Sequence, residues 1–277
     1  MLLFAGALQC AEAQRPPGVP EAGASPRIDQ ILKRGTLRVG VLAIYPWLFR
    51  NKMPAIYGNN DPWRGSSWIL AKAYAKALGV KFDFVEVSED TKVALVVSGG
   101  IDVTITALAP TPQREKVVDF IVYSTGANCM IGLKNNPKLA GITEISQLND
   151  PKFTFAAFAG TQQQTLTAQA VPKAQLRVVN GAGNGAIDEV ISGRSDLAAN
   201  DSPDWPMVQF AYPDRLVSFP SDCLNSTFGS HDVGHAIAKN QPMFLDFLRG
   251  IAAKMKTELH QEDLDTYHFA EQHPDQL

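Results

Sequence analysis

Between residues 36 and 107 the chain alternates strand-like and helix-like segments in strict succession, and this alternation constrains the fold more than any other feature. Residues 36–42 (TLRVGVL) read as an apolar strand, 67–78 (SWILAKAYAKAL) as an amphipathic helix and 81–87 (KFDFVEV) as an alternating strand. Residues 92–97 read as a short helix halted by Ser98-Gly99-Gly100, and 101–107 (IDVTITA) as a further strand. Leu70, Tyr74 and Leu78 share one helix face at i, i+4 and i+8, and Gly79 stands where a left-handed C-cap belongs. A β-α-β-α-β order calls for parallel strands with helices on the sheet faces, because a crossover helix packs back on the sheet only that way.

The same language resumes later. Strands are expected at 130–133, 153–158, 175–179 and 197–200, with helices at 162–170 and 186–192. The tail holds a strand at 233–238 and a long helix at 244–259, which suggests a return to the first unit. Two α/β units agree with 277 residues at about 150 residues per domain. A hydrophobic content of 45% supplies two buried cores.

Charge excludes one class of partner. The formal net charge is -3 with acids and bases interspersed, so the basic excess that holds nucleic acid by its phosphates is missing. Three cysteines without a Cys-x-x-Cys pair and five scattered histidines give no zinc-site spacing. His231, Asp232 and His235 crowd into five residues of a strand and match no familiar ligand pattern, so no metal and no cofactor is expected. Gly181-Ala182-Gly183-Asn184-Gly185 is not a dinucleotide fingerprint and reads as a turn before a helix.

Residues 1–8 (MLLFAGAL) followed by Ala11-Glu12-Ala13 fit a secretory signal peptide, and the apolar run is too short to span a bilayer. Cys10 offers lipid anchoring as an alternative, against which stands the bulky Gln9 before it. Residues 14–26 are rich in Pro, Ala and Gly and read as a tether. Export leaves Cys129 and Cys223, which either pair in an oxidising compartment or stay as two buried thiols.

In open α/β sheets ligands lie beyond the carboxyl ends of the strands, and four segments fall there. Tyr45-Pro46-Trp47 offers an aromatic that either stacks on a ligand or belongs to the core. Thr111-Pro112-Gln113-Arg114 offers a guanidinium fork suited to a carboxylate, or merely a capped turn. Ala159-Gly160-Thr161-Gln162 joins a strand to a helix whose free amides suit an anion. Asn200-Asp201-Ser202 offers a carboxylate for an ammonium group, or a helix cap. Their shared theme is a receptor for a zwitterion such as an amino acid.

The chain resembles the periplasmic solute-binding proteins of the amino-acid-binding type, solute-binding family 3, the receptor components of ABC importers. The likeness runs from Ile28 to Phe269. It is carried by residues 28–40 (IDQILKRGTLRVG), the Ser98-Gly99-Gly100-Ile101-Asp102 turn and Thr111 with Arg114 and Val118-Asp119-Phe120. The Ala159-Gly160-Thr161 turn and Ser192-Gly193-Arg194-Ser195-Asp196 leading to Asp201 complete it. The resemblance implies an α/β, two-lobed periplasmic-binding-protein fold of type II. Each lobe would be a mostly parallel sheet flanked by helices, with two crossing strands as the hinge. Lobe 1 would comprise 27–126 plus 229–277, and lobe 2 would comprise 127–228.

It further implies that Arg114 clamps a ligand carboxylate with help from Thr161 and Gln162, that Asp201 binds an α-ammonium and that Tyr45 faces the ligand side chain. Ala107 and Ala109 stand where relatives carry polar residues and would offer backbone groups. Glu89 stands where relatives commonly place an aromatic, and the loop around Trp63 is the alternative source of one. The expected protein is a monomeric, non-catalytic periplasmic receptor that hands a small carboxylate-bearing ligand to an ABC importer permease. A cyclohexadienyl-dehydratase-like enzyme is the second reading. Asp204 lies near that subgroup's acid, while Glu89 and Asn128 replace its tryptophan and lysine. A stand-alone periplasmic sensor or accessory protein is the third.

Overall fold

The computed structural model describes residues 15–52, 60–181 and 184–273. The expected signal segment, Cys10, loop residues Pro54, Gly58 and Asn59, and Ala182-Gly183 lie outside the described residues. Helix α1 (Pro26–Arg34) starts under Ser25, whose Oγ accepts from the Ile28 amide at 3.3 Å, and ends at left-handed Gly35. It buries Ile28 and Ile31 beside strand β1 (Thr36–Val41). A short ribbon of β2 (Phe49–Arg50) and β3 (Trp63–Arg64) precedes α2 (Ser66–Leu78), β4 (Lys81–Glu86), α3 (Lys92–Val97), β5 (Val103–Leu108) and β6 (Val118–Gly126). The chain continues through β7 (Asn128–Leu133), β8 (Thr154–Phe158), α4 (Gln162–Ala170), β9 (Gln175–Val179), α5 (Gly185–Ile191), β10 (Leu197–Asp201), α6 (Trp205–Ala211) and β11 (Leu216–Phe219). Strand β12 (His231–Ala238), α7 (Pro242–Lys254) and α8 (Lys256–Gln272) complete it.

The strands form two five-stranded sheets ordered β4-β1-β5-β12-β6 and β11-β7-β10-β8-β9. The expected mostly parallel pairing holds in β4-β1-β5 and in β10-β8-β9. The other two pairings of each sheet are antiparallel: β12 runs against β5 and β6 in the first, and β7 runs against β10 and β11 in the second. Strand β12 lies between β5 and β6, so the tail does return to the first sheet.

The expected single helix at 244–259 is two helices. Lys254 ends α7, and the turn at Met255 redirects the chain so that Leu259, like Phe244 and Leu248, is fully buried in the first core. No Gly or Pro marks this break, so it follows from packing and not from local propensity.

Two buried polar arrangements hold the first lobe. The Asp102 carboxylate is fully buried and meets Arg27 and Arg34, with the Arg38 amide donating to it at 2.8 Å. His235 lies within the core against Ser67 Oγ (2.6 Å) and Tyr74 Oη (3.3 Å), and burial pushes its imidazole down to about 3, so it is neutral. In the second lobe Cys129 and Cys223 are joined as a disulfide, with Cα atoms 5.6 Å apart, and settle the alternative the sequence left open.

Candidate functional site

Each site residue is fixed by a local device. Tyr45 follows β1, and the carbonyl of nearby Trp47 accepts the Ser67 amide at the start of α2 (2.9 Å). Gly65 permits that approach: its φ is +96°, and a Cβ there would collide with the Trp47 carbonyl. The Tyr45 hydroxyl donates to the Thr266 carbonyl of α8 at 2.5 Å, so the ring is held from behind by the C-terminal helix. Arg114 opens a single 3-10 turn, its amide donating to Thr111 Oγ1 at 3.3 Å. Thr161 caps α4, its Oγ1 accepting from the Gln164 amide at 3.2 Å. Asp201 ends β10, and Glu89 precedes α3.

These devices converge. One cavity of about 460 Å³ between the lobes is lined by Tyr45, Glu89, Ala107, Ala109 and Arg114 on one side and by Thr161, Gln162 and Asp201 on the other. All eight residues singled out in the sequence therefore face one space. Trp63 does not: it is buried in the first core with the Arg50 guanidinium 3.9 Å over its ring. The aromatic lining comes from Phe49, Phe158, Phe210 and Tyr212 as well as Tyr45 and Trp47.

The electrostatics are uneven. Arg114 is 7% exposed, donates to the Ala109 carbonyl at 2.9 Å and reaches across to the Gly160 carbonyl at 2.8 Å. Burial pulls its guanidinium down to about 10, with Glu89 opposing the shift. No carboxylate lies within ion-pair distance of it among the described residues. Glu89 Oε2 instead meets Lys92 Nζ at 2.8 Å, a cation only 2% exposed. Burial lowers the Lys92 ammonium, and Glu89 opposes this.

Asp201 Oδ1 accepts from Gln163 Nε2 at 2.7 Å and lies 3.9 Å from His231 Nε2. Burial raises Asp201 to about 6, helped by Glu89 and opposed chiefly by His231. Asp204 also lines the cavity, and burial together with the Asp201 charge pushes it well above the usual carboxylate range. Gln162 Oε1 is buried without a hydrogen-bond partner among the described residues.

Sequence reasoning missed Lys92 and Gln163, and weighed His231 only as a metal ligand beside Asp232 and His235. Glu89 and Lys92 stand at i, i+3, and Lys92 heads an otherwise apolar helix, KVALVV. That pairing was a legible signal for Lys92. His231 carried none, because its neighbours come from β10 and the β6–β7 crossing. Asn128 is buried at that crossing, its Nδ2 donating to the Gly229 carbonyl at 3.1 Å.

Comparison with known proteins agrees with this fold. The family model for bacterial extracellular solute-binding proteins, family 3, matches residues 49–271. Among curated proteins, the membrane-bound lytic murein transglycosylase F of Vibrio vulnificus is 28% identical over 226 residues, which is 72% of this chain and 40% of that protein. The chain thus spans less than half the length of that relative. The probable ABC transporter extracellular-binding protein YckB of Bacillus subtilis is 24% identical over 198 residues, 70% of this chain and 65% of that one.

Among solved structures, the ancestral amino acid-binding protein AncCDT-1, a precursor of cyclohexadienyl dehydratase, is 31% identical with a TM-score of 0.68, covering 87% of this chain and 97% of that one. The amino acid ABC transporter substrate-binding protein AbpA of Streptococcus pneumoniae, bound to L-arginine, is 25% identical with a TM-score of 0.71, covering 87% and 98%.

Proposed function

Because the chain belongs to the bacterial extracellular solute-binding proteins, family 3, we propose that it is a receptor for a small α-amino acid or a closely related carboxylate, captured between its lobes. The observation that carries this reading is Arg114. A guanidinium so deeply buried, supplied with two carbonyl acceptors but no anion, is costly to desolvate, and a ligand carboxylate supplies the missing countercharge. Thr161 and Gln162 flank that carboxylate from the head of α4, and Asp201 receives the α-ammonium. Tyr45 and Phe49 supply the wall for the side chain.

Lobe 1 is proposed to comprise residues 27–126 and 229–277, with lobe 2 comprising 127–228 between two crossings. Ligand contacts then exist with both lobes only in the closed state, so binding shifts the population toward closure. The receptor works as a monomer in the periplasm, where its disulfide is stable, and presents the closed form to an ABC importer permease. The test is a thermal-shift panel of amino acids and organic acids on the intact chain. A true ligand at 100 times its Kd adds about 2.7 kcal/mol. Silence across the panel overturns the receptor reading.

A second reading, elimination chemistry of the cyclohexadienyl dehydratase kind, has one observation in its favour. Asp204 faces the cavity with its carboxyl raised, as a proton donor requires. Release of aromatic product from arogenate or prephenate, lost in Asp204→Asn, would establish it; inertness toward both would dismiss it.

A further inference from the structure

Helix α8 reaches the wall of the cavity from behind at two points. Asp263 and Thr266 stand at i, i+3 on this helix, and both are buried. The Thr266 carbonyl takes the Tyr45 hydroxyl. Asp263 Oδ2 accepts from Ser124 Oγ of β6 at 2.6 Å, and the same Oγ accepts from Trp47 Nε1 at 3.0 Å. The direction of this relay is fixed. An indole N–H only donates, so the Ser124 oxygen faces Trp47 and its proton goes to the carboxylate. Asp263 itself is a buried acid with no ion-pair partner among the described residues. Burial raises its carboxyl, and the Ser124 hydroxyl opposes this. An apolar residue of similar size would avoid that desolvation cost, so stability alone does not account for the acid.

Trp47 is where the relay ends and the cavity begins. The indole is buried, lines the cavity and packs with Ala107 and Val233. Its outer edge fills a notch at the first crossing between lobes: a Cβ on Gly126 would lie 3.0 Å from the indole Cη2, 3.1 Å from Cζ2 and 3.0 Å from His231 Nε2. Gly126 and His231 are register partners of β6 and β12, and His231 Nε2 lies 3.9 Å from Asp201 Oδ1. The indole edge therefore shares one small space with the imidazole that neighbours Asp201. Aliphatic contacts tolerate a rotated ring. The N–H does not, because a ring turned away from Ser124 would bury its one donor without that acceptor.

We infer that Ser124 and Asp263 are positioning residues for the ligand site: they hold the Trp47 indole in the orientation that forms the cleft wall and leaves His231 beside Asp201. Neither residue lines the cavity, so both act through Trp47. This rests on the amino-acid reading above and extends it to residues that touch no ligand.

Two measurements on the intact chain test this. Calorimetric titration with the standard L-amino acids gives affinity, and the indole N–H magnetic resonance signal of Trp47, identified by its loss in Trp47→Phe, reports the anchor. Ser124→Ala is expected to weaken the tightest-binding amino acid by about three- to tenfold, the worth of one neutral hydrogen bond, and to shift the Trp47 signal and speed its exchange with water. Ser124→Thr keeps the hydroxyl and should restore both. In a Trp47→Phe background Ser124→Ala should change affinity by less than about twofold, because the N–H it serves is gone. An equal loss in both backgrounds overturns the inference, since Ser124 then supports the fold and not the indole; so does unchanged affinity in Ser124→Ala. Either result leaves the amino-acid reading intact. If no standard amino acid binds the wild-type chain, the amino-acid reading falls and the indole signal decides the anchor by itself: a shift in Ser124→Ala upholds it, and an unmoved signal overturns it as well. Should Ser124→Ala fail to fold, Asp263→Ala, which removes the carboxylate that orients the hydroxyl, makes the same comparison.

Discussion

Arg114 spans the cleft: its guanidinium donates to the Gly160 carbonyl at 2.8 Å across 46 positions of sequence. The same side chain holds the Ala109 carbonyl of its own lobe. It is therefore a contact across the cavity, and in the proposed function it is the fork that takes a ligand carboxylate. Arg114→Ala should weaken ligand affinity by about 100-fold, since a charged hydrogen-bonded partner contributes about 1.5–3 kcal/mol. Arg114→Lys should recover only part of this, because a point charge cannot reproduce the planar fork. Calorimetry with a ligand found in the panel checks both, and unchanged affinity in Arg114→Ala would remove the carboxylate assignment.

Binding should depend on pH through Asp201. Its carboxyl is raised to about 6 in the free protein, and a ligand ammonium beside it favours the ionised form. Below about pH 6 the ligand must therefore displace a proton, and affinity should fall by up to about tenfold per pH unit. Stability of the free protein runs the other way. A carboxyl whose folded pKa exceeds its unfolded one holds a proton that the unfolded chain has lost, so this group's contribution becomes less favourable as pH rises from about 4 to about 6. In Asp201→Asn the pH dependence of binding due to this group should vanish along with most affinity.

The Glu89–Lys92 pair is nearly sealed from water, at 14% and 2% side-chain exposure. Removing one partner leaves the other charge buried without its ion-pair partner. Lys92→Met should lower stability by about 3 kcal/mol, and Glu89→Gln in the same chain should restore a good part of it. Denaturant melts of the two singles and the double measure the coupling; purely additive effects would show that the pair does not act as a unit.

The Cys129–Cys223 bond closes a sequence separation of 94 residues within the second lobe. Loop-closure entropy for such a span corresponds to about 4–5 kcal/mol, and removal of native bridges typically costs about 2–5 kcal/mol. Cys129→Ala with Cys223→Ala should lower the Tm accordingly, and added reductant should lower it in the wild type but not in the double variant.

The α/β character, the order of the early elements and the return of the tail were legible because each rests on a period of local hydrophobicity or on a Gly stop. Leu70, Tyr74 and Leu78 before Gly79 are one instance, and α2 ends where that glycine stands. The eight candidate residues that line the cavity were also named from the sequence, five as residue types near strand ends and Glu89, Ala107 and Ala109 through the family likeness alone. The split at Met255 was not, because the burial of Leu259 that drives it is a property of the packed core.

Sequence by itself determined the alternation of the early strands and helices, that fixed charges of both signs lie at strand ends, and which family the chain resembles. Tertiary structure alone decided how those charges are used. It paired Glu89 with Lys92, left Arg114 without an anion, joined Cys129 to Cys223, and set Asp201 and Asp204 together under Tyr267 from the far end of the chain. The physical reason is that a local pattern fixes secondary structure through near neighbours, whereas the field at a charged side chain depends on burial and on groups tens to hundreds of residues away.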